Sequence, residues 1–274
     1  DAFDRLVAHS HVDESLDEAR RLLARHRDEP FLSNVDGGLI DRLLDGRLDL
    51  VPAQAEIVQD LPDKVRNLVR RQPSVTVDYL MRMVSAAEQE LIVISPYFVP
   101  QKQGIEFFGA LAKKGVRVVI ISNSLASTNH ASVHAVYARY RKPLLRHGVE
   151  LYELRPRLES MESDTTLTLH SKVATVDRQR MFVGSFNLDP RSLYLNTEMG
   201  MAVTSDKLAT QMATSILDTL PEQAYKLRLS HKGRLQWLLS AGDVEEVITT
   251  EPQTSFWRRL RTRLMGLLPI EEQM

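Results

Sequence analysis

A histidine and a lysine two residues apart, followed at short intervals by an aspartate, a glycine, a serine and an asparagine, are the side-chain types that work on a phosphate ester requires. Here they are His170, Lys172, Asp177, Gly184, Ser185 and Asn187, spaced as H-x-K-x4-D-x6-G-S-x-N. An imidazole can attack phosphorus, and an ammonium beside it neutralises charge building on the nonbridging oxygens, so the pair needs no metal. Ser185 and Asn187 would add neutral hydrogen-bond donors to the same oxygens. Gly184 would let the backbone approach a ligand closely. Apart from His130 and His134, the histidines show no H-x-x-x-H or carboxylate spacing suited to a metal. Neither a metal nor a cofactor is expected.

To act together the two leading side chains must share a face. Residues 167–170 and 173–176 read as extended, 177–180 as a turn and 181–183 as a returning strand, which makes a hairpin. Strand alternation then aims His170 and Lys172 the same way. The elements around this hairpin alternate in type. A helix with Tyr79, Leu80, Met83, Val84 and Ala87 on one face leads into the apolar run Leu91-Ile92-Val93-Ile94, which reads as a buried strand. A helix over 105–114, a strand over 116–121, a helix over 130–146 and a strand over 149–154 follow, with Gly115 and Gly148 closing the helices. Another strand is expected over 199–203, then helices over 207–219 and 234–239.

This pattern predicts an α/β fold, a mixed sheet with helices on both faces, over residues 75–245. Residues 1–74 are charge-rich, have apolar positions such as Leu16, Ala19, Leu22 and Leu23 at helical spacing, and are punctuated by Pro30, Pro52 and Pro62. They read as a helical linker segment. Residues 246–274 read as a basic amphipathic tail, and no second copy of the hairpin pattern occurs.

Composition narrows the functional classes. Apolar residues at 43% and charged residues at 26% are ordinary globular values and argue against wholesale disorder or an integral membrane protein. A formal net charge of -1 supplies no field for a polyanion, and no aromatics interleave with lysine to stack bases, so a nucleic-acid partner is disfavoured. With no cysteine there is no disulfide, thiolate nucleophile or cysteine-bound zinc.

The hairpin pattern resembles the HKD signature of the phospholipase D superfamily. Ser95-Pro96-Tyr97-Phe98-Val99-Pro100, Ser122-Asn123-Ser124-Leu125-Ala126-Ser127-Thr128-Asn129 and Tyr140-Arg141-Lys142-Pro143-Leu144-Leu145 resemble the second half of bacterial cardiolipin synthases. So do Pro221-Glu222, Tyr225, Leu229, Trp237 and Glu251-Pro252. The likeness covers roughly residues 76 to 270, and the first seventy resemble the segment joining the two halves of such enzymes. It implies phosphatidyl transfer through a phosphohistidine, with an anionic phospholipid of the phosphatidylglycerol type as substrate. His170 would be nucleophile or acid, Lys172, Ser185 and Asn187 phosphate ligands, Asp177 the organiser of the motif, and Glu198 a carboxylate that orients the imidazole. It also implies a peripheral position on the cytoplasmic face of the bacterial inner membrane.

A complete site of this kind pairs two motifs, and this chain shows one. The partner is therefore a missing N-terminal lobe or a second copy of the chain about a two-fold axis. The start at Asp1, without an initiator Met, favours the first. Hydrolysis in place of transfer, a dimeric nuclease, and a non-catalytic phosphate-binding lobe are the competing readings. Tyr97, Asn123 and His134 are candidates for the substrate cleft, with simple packing or surface roles as the alternative. In the tail, Phe256, Trp257, Leu260, Leu264, Leu267 and Leu268 recur near helical spacing among Arg258, Arg259, Arg261 and Arg263, a pattern suited to an anionic membrane surface or to a terminal helix packed on the domain.

Overall fold

The computed structural model describes residues 50–66, 74–156, 166–241 and 244–268. The chain divides into two compact units at Val51, and everything below concerns the second, from Pro52 onward. The helices expected before residue 50 lie outside the described residues.

In chain order the elements are β1 (Gln54–Gln59), α1 (Asp63–Arg66), α2 (Val75–Ser85), β2 (Glu90–Ile94), α3 (Gln101–Lys113), β3 (Arg117–Asn123), α4 (Ala131–Tyr137), α5 (Arg141–Arg146) and β4 (Glu150–Leu154). Then come β5 (Val173–Val176), β6 (Arg180–Gly184), α6 (Pro190–Tyr194), β7 (Met199–Thr204), α7 (Asp206–Gln223), β8 (Ala224–Leu229), β9 (Leu235–Ala241), β10 (Val244–Ile248) and α8 (Phe256–Met265).

The strands form one ten-stranded sheet in the order β1-β7-β6-β5-β2-β3-β4-β8-β9-β10. The pairs β2·β3 and β3·β4 are parallel, and every other pair is antiparallel. The fold is the mixed α/β sheet expected. The middles of β2 and β3, residues 91–94 and 118–121, are unbroken apolar runs because both faces are covered. Leu91, Val93, Val118 and Ile120 face a core shared with Leu80, Phe108 and Leu144 of the helices α2, α3 and α5. Ile92, Val119 and Ile121 face the other way, onto Ala213 and Leu220 of α7. Among the described residues no helix is long and apolar enough to cross a membrane.

Three expectations need correction. Residues 54–59, read as part of a helical linker over 1–74, form the edge strand β1 against β7, with Gln54 opposite Thr204 and Gln59 opposite Met199. In β1 only Val58 is buried and Ile57 is 69% exposed, so no alternation marked it as a strand. The helix expected over 234–239 is the strand β9: a turn with Gly233 at φ +67° folds the chain back, and Trp237 and Leu239 join the main core from between β8 and β10. A short apolar run does not reveal its period, so helix and strand could not be told apart there. Finally, β10 crosses the boundary drawn at 245/246, and the tail proper begins after it.

Candidate active site

In register, Val173 of β5 lies opposite Ile94, the last residue of β2. Residues 170–172 therefore emerge beyond the carboxyl ends of the parallel strands, the place where open α/β sheets form ligand crevices. The residues before Val173 are irregular chain, so His170 and Lys172 stand on the approach to the hairpin and not within it. Pairing extends one residue past the strand, since Gly184 N donates to Lys172 O at 3.2 Å.

His170 is exposed, and its ring lies edge-on to the ring of Tyr97 at 6.4 Å between centroids. Lys172 is half-buried and its Nζ donates to the His170 carbonyl at 2.7 Å. Burial holds the ammonium below its usual pKa, and the negative charges of Glu198 and Asp189 act against that shift. A half-buried ammonium can give a charge-assisted hydrogen bond to a phosphate oxygen.

Glu198 is buried, with its carboxylate accepting hydrogen bonds from Ser185 Oγ and from Ser192 Oγ at 2.8 Å. Asn196 Nδ2 donates to it at 3.4 Å. These partners, and not the imidazole of His170, take its hydrogen bonds within this chain. Behind it is a polar cluster that sequence reasoning missed. Glu198 N donates to Asp60 Oδ2 at 3.0 Å, Asp60 N donates back to Glu198 O at 2.8 Å, and Thr76 Oγ1 donates to the same carbonyl at 3.1 Å. Lys64 Nζ bridges Asp60 Oδ2 at 2.7 Å, Ser74 Oγ at 3.1 Å and Ser192 O at 2.8 Å. Burial pushes the Asp60 carboxyl up, but Lys64 and the amide of Thr76 more than offset this and hold it below the usual range. The only local hint was the i,i+4 spacing of Asp60 and Lys64.

The remaining candidates divide by what they touch. Asn123, at the end of β3, holds the backbone next to His170: its Nδ2 donates to Leu169 O at 3.0 Å and its Oδ1 accepts from Leu169 N at 2.9 Å. It positions the histidine from behind and does not line a cleft. Tyr97 stands beside His170, with its hydroxyl donating to Asn129 Oδ1 at 3.1 Å. His134 is corrected: it is 3% exposed, and Arg141 Nη2 donates to its Nε2, so no head group reaches it. Burial, with the Arg141 charge second, pushes its pKa well down and keeps it neutral.

Asp177, counted above with the catalytic set, sits at the far end of β5, roughly 16 Å along the strand from Lys172. Its carboxylate accepts the backbone N–H groups of Glu88 at 2.9 Å, Gln89 at 2.7 Å and Glu90 at 2.9 Å, and its own N donates to Glu90 O at 2.8 Å. It pins the β5–β6 turn to the start of β2 and touches nothing near the imidazole. Gly184 is likewise structural: a Cβ there would run into Met199 O and lie 2.8 Å from Gly200 Cα, so the close approach it permits is between β6 and β7. Ser185 is exposed at the mouth, its Oγ shared between Glu198 and Met199 N. Asn187 is half-buried, and its Oδ1 is buried with no partner.

The chain belongs to the phospholipase D-like family of cardiolipin synthases, since residues 80–219 match the family described as cardiolipin synthase, PLD-like domain. It is 37% identical over 259 residues to cardiolipin synthase C of Escherichia coli K12, covering 92% of this chain and 53% of that protein. Cardiolipin synthase A of Pseudomonas aeruginosa PAO1 is 33% identical over 129 residues, 47% of this chain and 24% of that protein. The chain spans about half the length, or less, of these curated relatives. Among solved structures, a phospholipase D family member, Nuc from Salmonella typhimurium, matches with TM-score 0.47 and 17% identity, covering 65% of this chain and 99% of that one.

Proposed function

We propose that this chain supplies one half-site of an enzyme that transfers a phosphatidyl group between phospholipid alcohols. The reading rests on one observation: an exposed His170 and a half-buried Lys172, whose Nζ donates to the His170 carbonyl, stand two residues apart just beyond the carboxyl end of β2, and the charge of Glu198 acts on the lysine. The likeness to cardiolipin synthases supports it.

In the reaction one histidine attacks phosphorus, the phosphorus–oxygen bond to the leaving alcohol breaks, and the histidine of the complementing motif gives that alcohol its proton. The acceptor alcohol then attacks the phosphohistidine and returns a proton to the second histidine. Lys172 balances the charge on the nonbridging oxygens throughout. The complementing motif comes from an N-terminal lobe or from a second copy of the chain. The substrate is an anionic phospholipid at the cytoplasmic face of the inner membrane, which the chain meets from the side through α8.

Phosphatidylglycerol turnover in vesicles by the enzyme containing this chain tests the reading. His170→Ala is expected to lower turnover on the order of 10³-fold or more. Turnover that survives the substitution removes His170 from the chemistry and the proposal with it. The product separates the two acceptors: cardiolipin marks transfer to an alcohol, and phosphatidic acid marks water.

A further inference from the structure

Beside Lys172 the fold leaves a cavity of about 300 Å³ between α2, α3, β5 and the segment leading into α6. That is the lower end of the range for ligand pockets. Its walls are mostly apolar, among them Leu80, Val84, Phe108, Phe182 and Leu193, and among the described residues Lys172 is the only charged one that lines it. Four uncharged polar side chains share the lining: Ser95, Gln101, Gln103 and Tyr194. Ser95 Oγ already donates to Tyr97 O at 2.7 Å and accepts from Leu188 N at 3.1 Å, and Gln103 is exposed at the start of α3.

A wall of this kind selects its occupant. A peptide segment would bring two backbone polar groups per residue, more than the four uncharged polar side chains of the lining can pair, at about 1–3 kcal/mol for each one left unmade. A hydrocarbon chain needs none, and its burial is favourable along its whole length. A cation in the lining, Lys172, adds a second requirement, that the chain end in an anion. We infer that this cavity receives one acyl chain of the phospholipid whose phosphate Lys172 holds. The inference rests on the phosphate role given to Lys172 above and adds a reason for a lipid phosphodiester to be preferred over a water-soluble one. The acyl chain enters past Met81 and Gln103, which are both exposed at the rim.

Binding of an alkyl phosphate series, from butyl to dodecyl and below the micelle concentration, tests this by calorimetry without any turnover. Affinity is expected to rise by up to about fourfold per added methylene, and then to level off when the cavity is full. Met81→Trp, which narrows the rim from an exposed position, is expected to move the levelling point to shorter chains. Its unfolding curve checks that it has folded. A flat series overturns the inference, as does a rise that a folded Met81→Trp leaves unchanged, which would place the chains elsewhere, α8 included. If Met81→Trp alters association with the complementing half and leaves the chain-length series as it was, the cavity belongs to protein and the inference also falls. None of these outcomes depends on the His170→Ala result, so loss of the acyl site and loss of the transfer reading are told apart.

Discussion

Asp177 is a carboxylate whose work is done on backbone. Three successive amides, those of Glu88, Gln89 and Glu90, point at it, and no other described contact gives them that acceptor. Burial alone would raise its pKa, but these amides more than offset it and hold the carboxyl below its ordinary 3.8. A lowered folded-state pKa means stability that is fully present above the unfolded value and is lost as pH falls through the folded one. Asp177→Asn is therefore expected to cost about 1–3 kcal/mol at neutral pH, with the deficit shrinking below pH ~4. Urea unfolding of both proteins across that range reads it out, and a deficit that stays constant in acid would mean the charge is not what matters. This residue and its motif were visible in the sequence because His170, Lys172 and Asp177 lie within eight residues of each other. Asp177's structural role was not, since its partners lie nearly ninety residues upstream. Asn123 and Asp60 were opaque for the same reason: each acts through a hydrogen bond that spans 46 or 138 residues. His134 misled because a polar residue on a helix near a candidate site does not announce that an arginine will bury it.

At the scale of elements, the central strands were legible and the edges were not. Two-sided burial wrote the middles of β2 and β3 as unbroken apolar runs, whereas β1, at the edge, carries polar residues on half its positions. The helix α8 shows a different kind of information. Its buried residue Thr262 and the close contact of Gly266 with Ala135 O mark the side packed on the body. At 100° per residue, Phe256, Trp257, Leu260 and Leu264 fall on the opposite side, all of them exposed, and Leu267 and Leu268 just past the helix are exposed too. Ordinary surface helices turn their apolar stripe inward. Here the stripe faces outward, Trp257 at 74% exposure, with Arg261 and Arg263 flanking it. Arg258 and Arg259 are tied back to Thr128 O and Thr254 O. Apolar surface ringed by arginine suits an anionic bilayer better than water. Trp257→Glu with Leu264→Glu is expected to lower co-flotation with phosphatidylglycerol vesicles at least tenfold while leaving the unfolding transition in place, because neither side chain is packed in the core. Equal flotation would assign the stripe another role.

For the whole molecule, the question is what fastens the late strands and the tail to the sheet. Arg141 of α5 is buried among groups from four other elements or loops. Its Nε stands 2.7 Å from Glu153 Oε1 of β4, its Nη1 donates to Glu251 Oε1 at 2.5 Å, and its guanidinium lies over the rings of Tyr137 and Trp237. Trp237 Nε1 of β9 donates to Glu153 Oε2 at 2.8 Å. Burial pushes the guanidinium pKa down, but Glu153 and Glu251 more than offset this and raise it above its ordinary value. Two carboxylates on one buried cation are one too many. Burial pushes the Glu153 carboxyl up, Arg141 pulls against it and Glu251 adds to the rise, and the balance leaves it at about 7. A folded-state pKa above the ordinary 4.5 means stability that is fully present below that value and is lost as pH rises through about 7. Glu153→Gln keeps an acceptor for Trp237 and has no proton to lose. Relative to it, the native chain is expected to lose stability between pH 5 and 8, so that the two urea midpoints draw together or cross within that window. Titrating groups remote from Arg141 are shared and cancel in the difference. Midpoints that run parallel from pH 5 to 8 would show that Glu153 stays ionised in the fold, and that Arg141 alone balances both carboxylates.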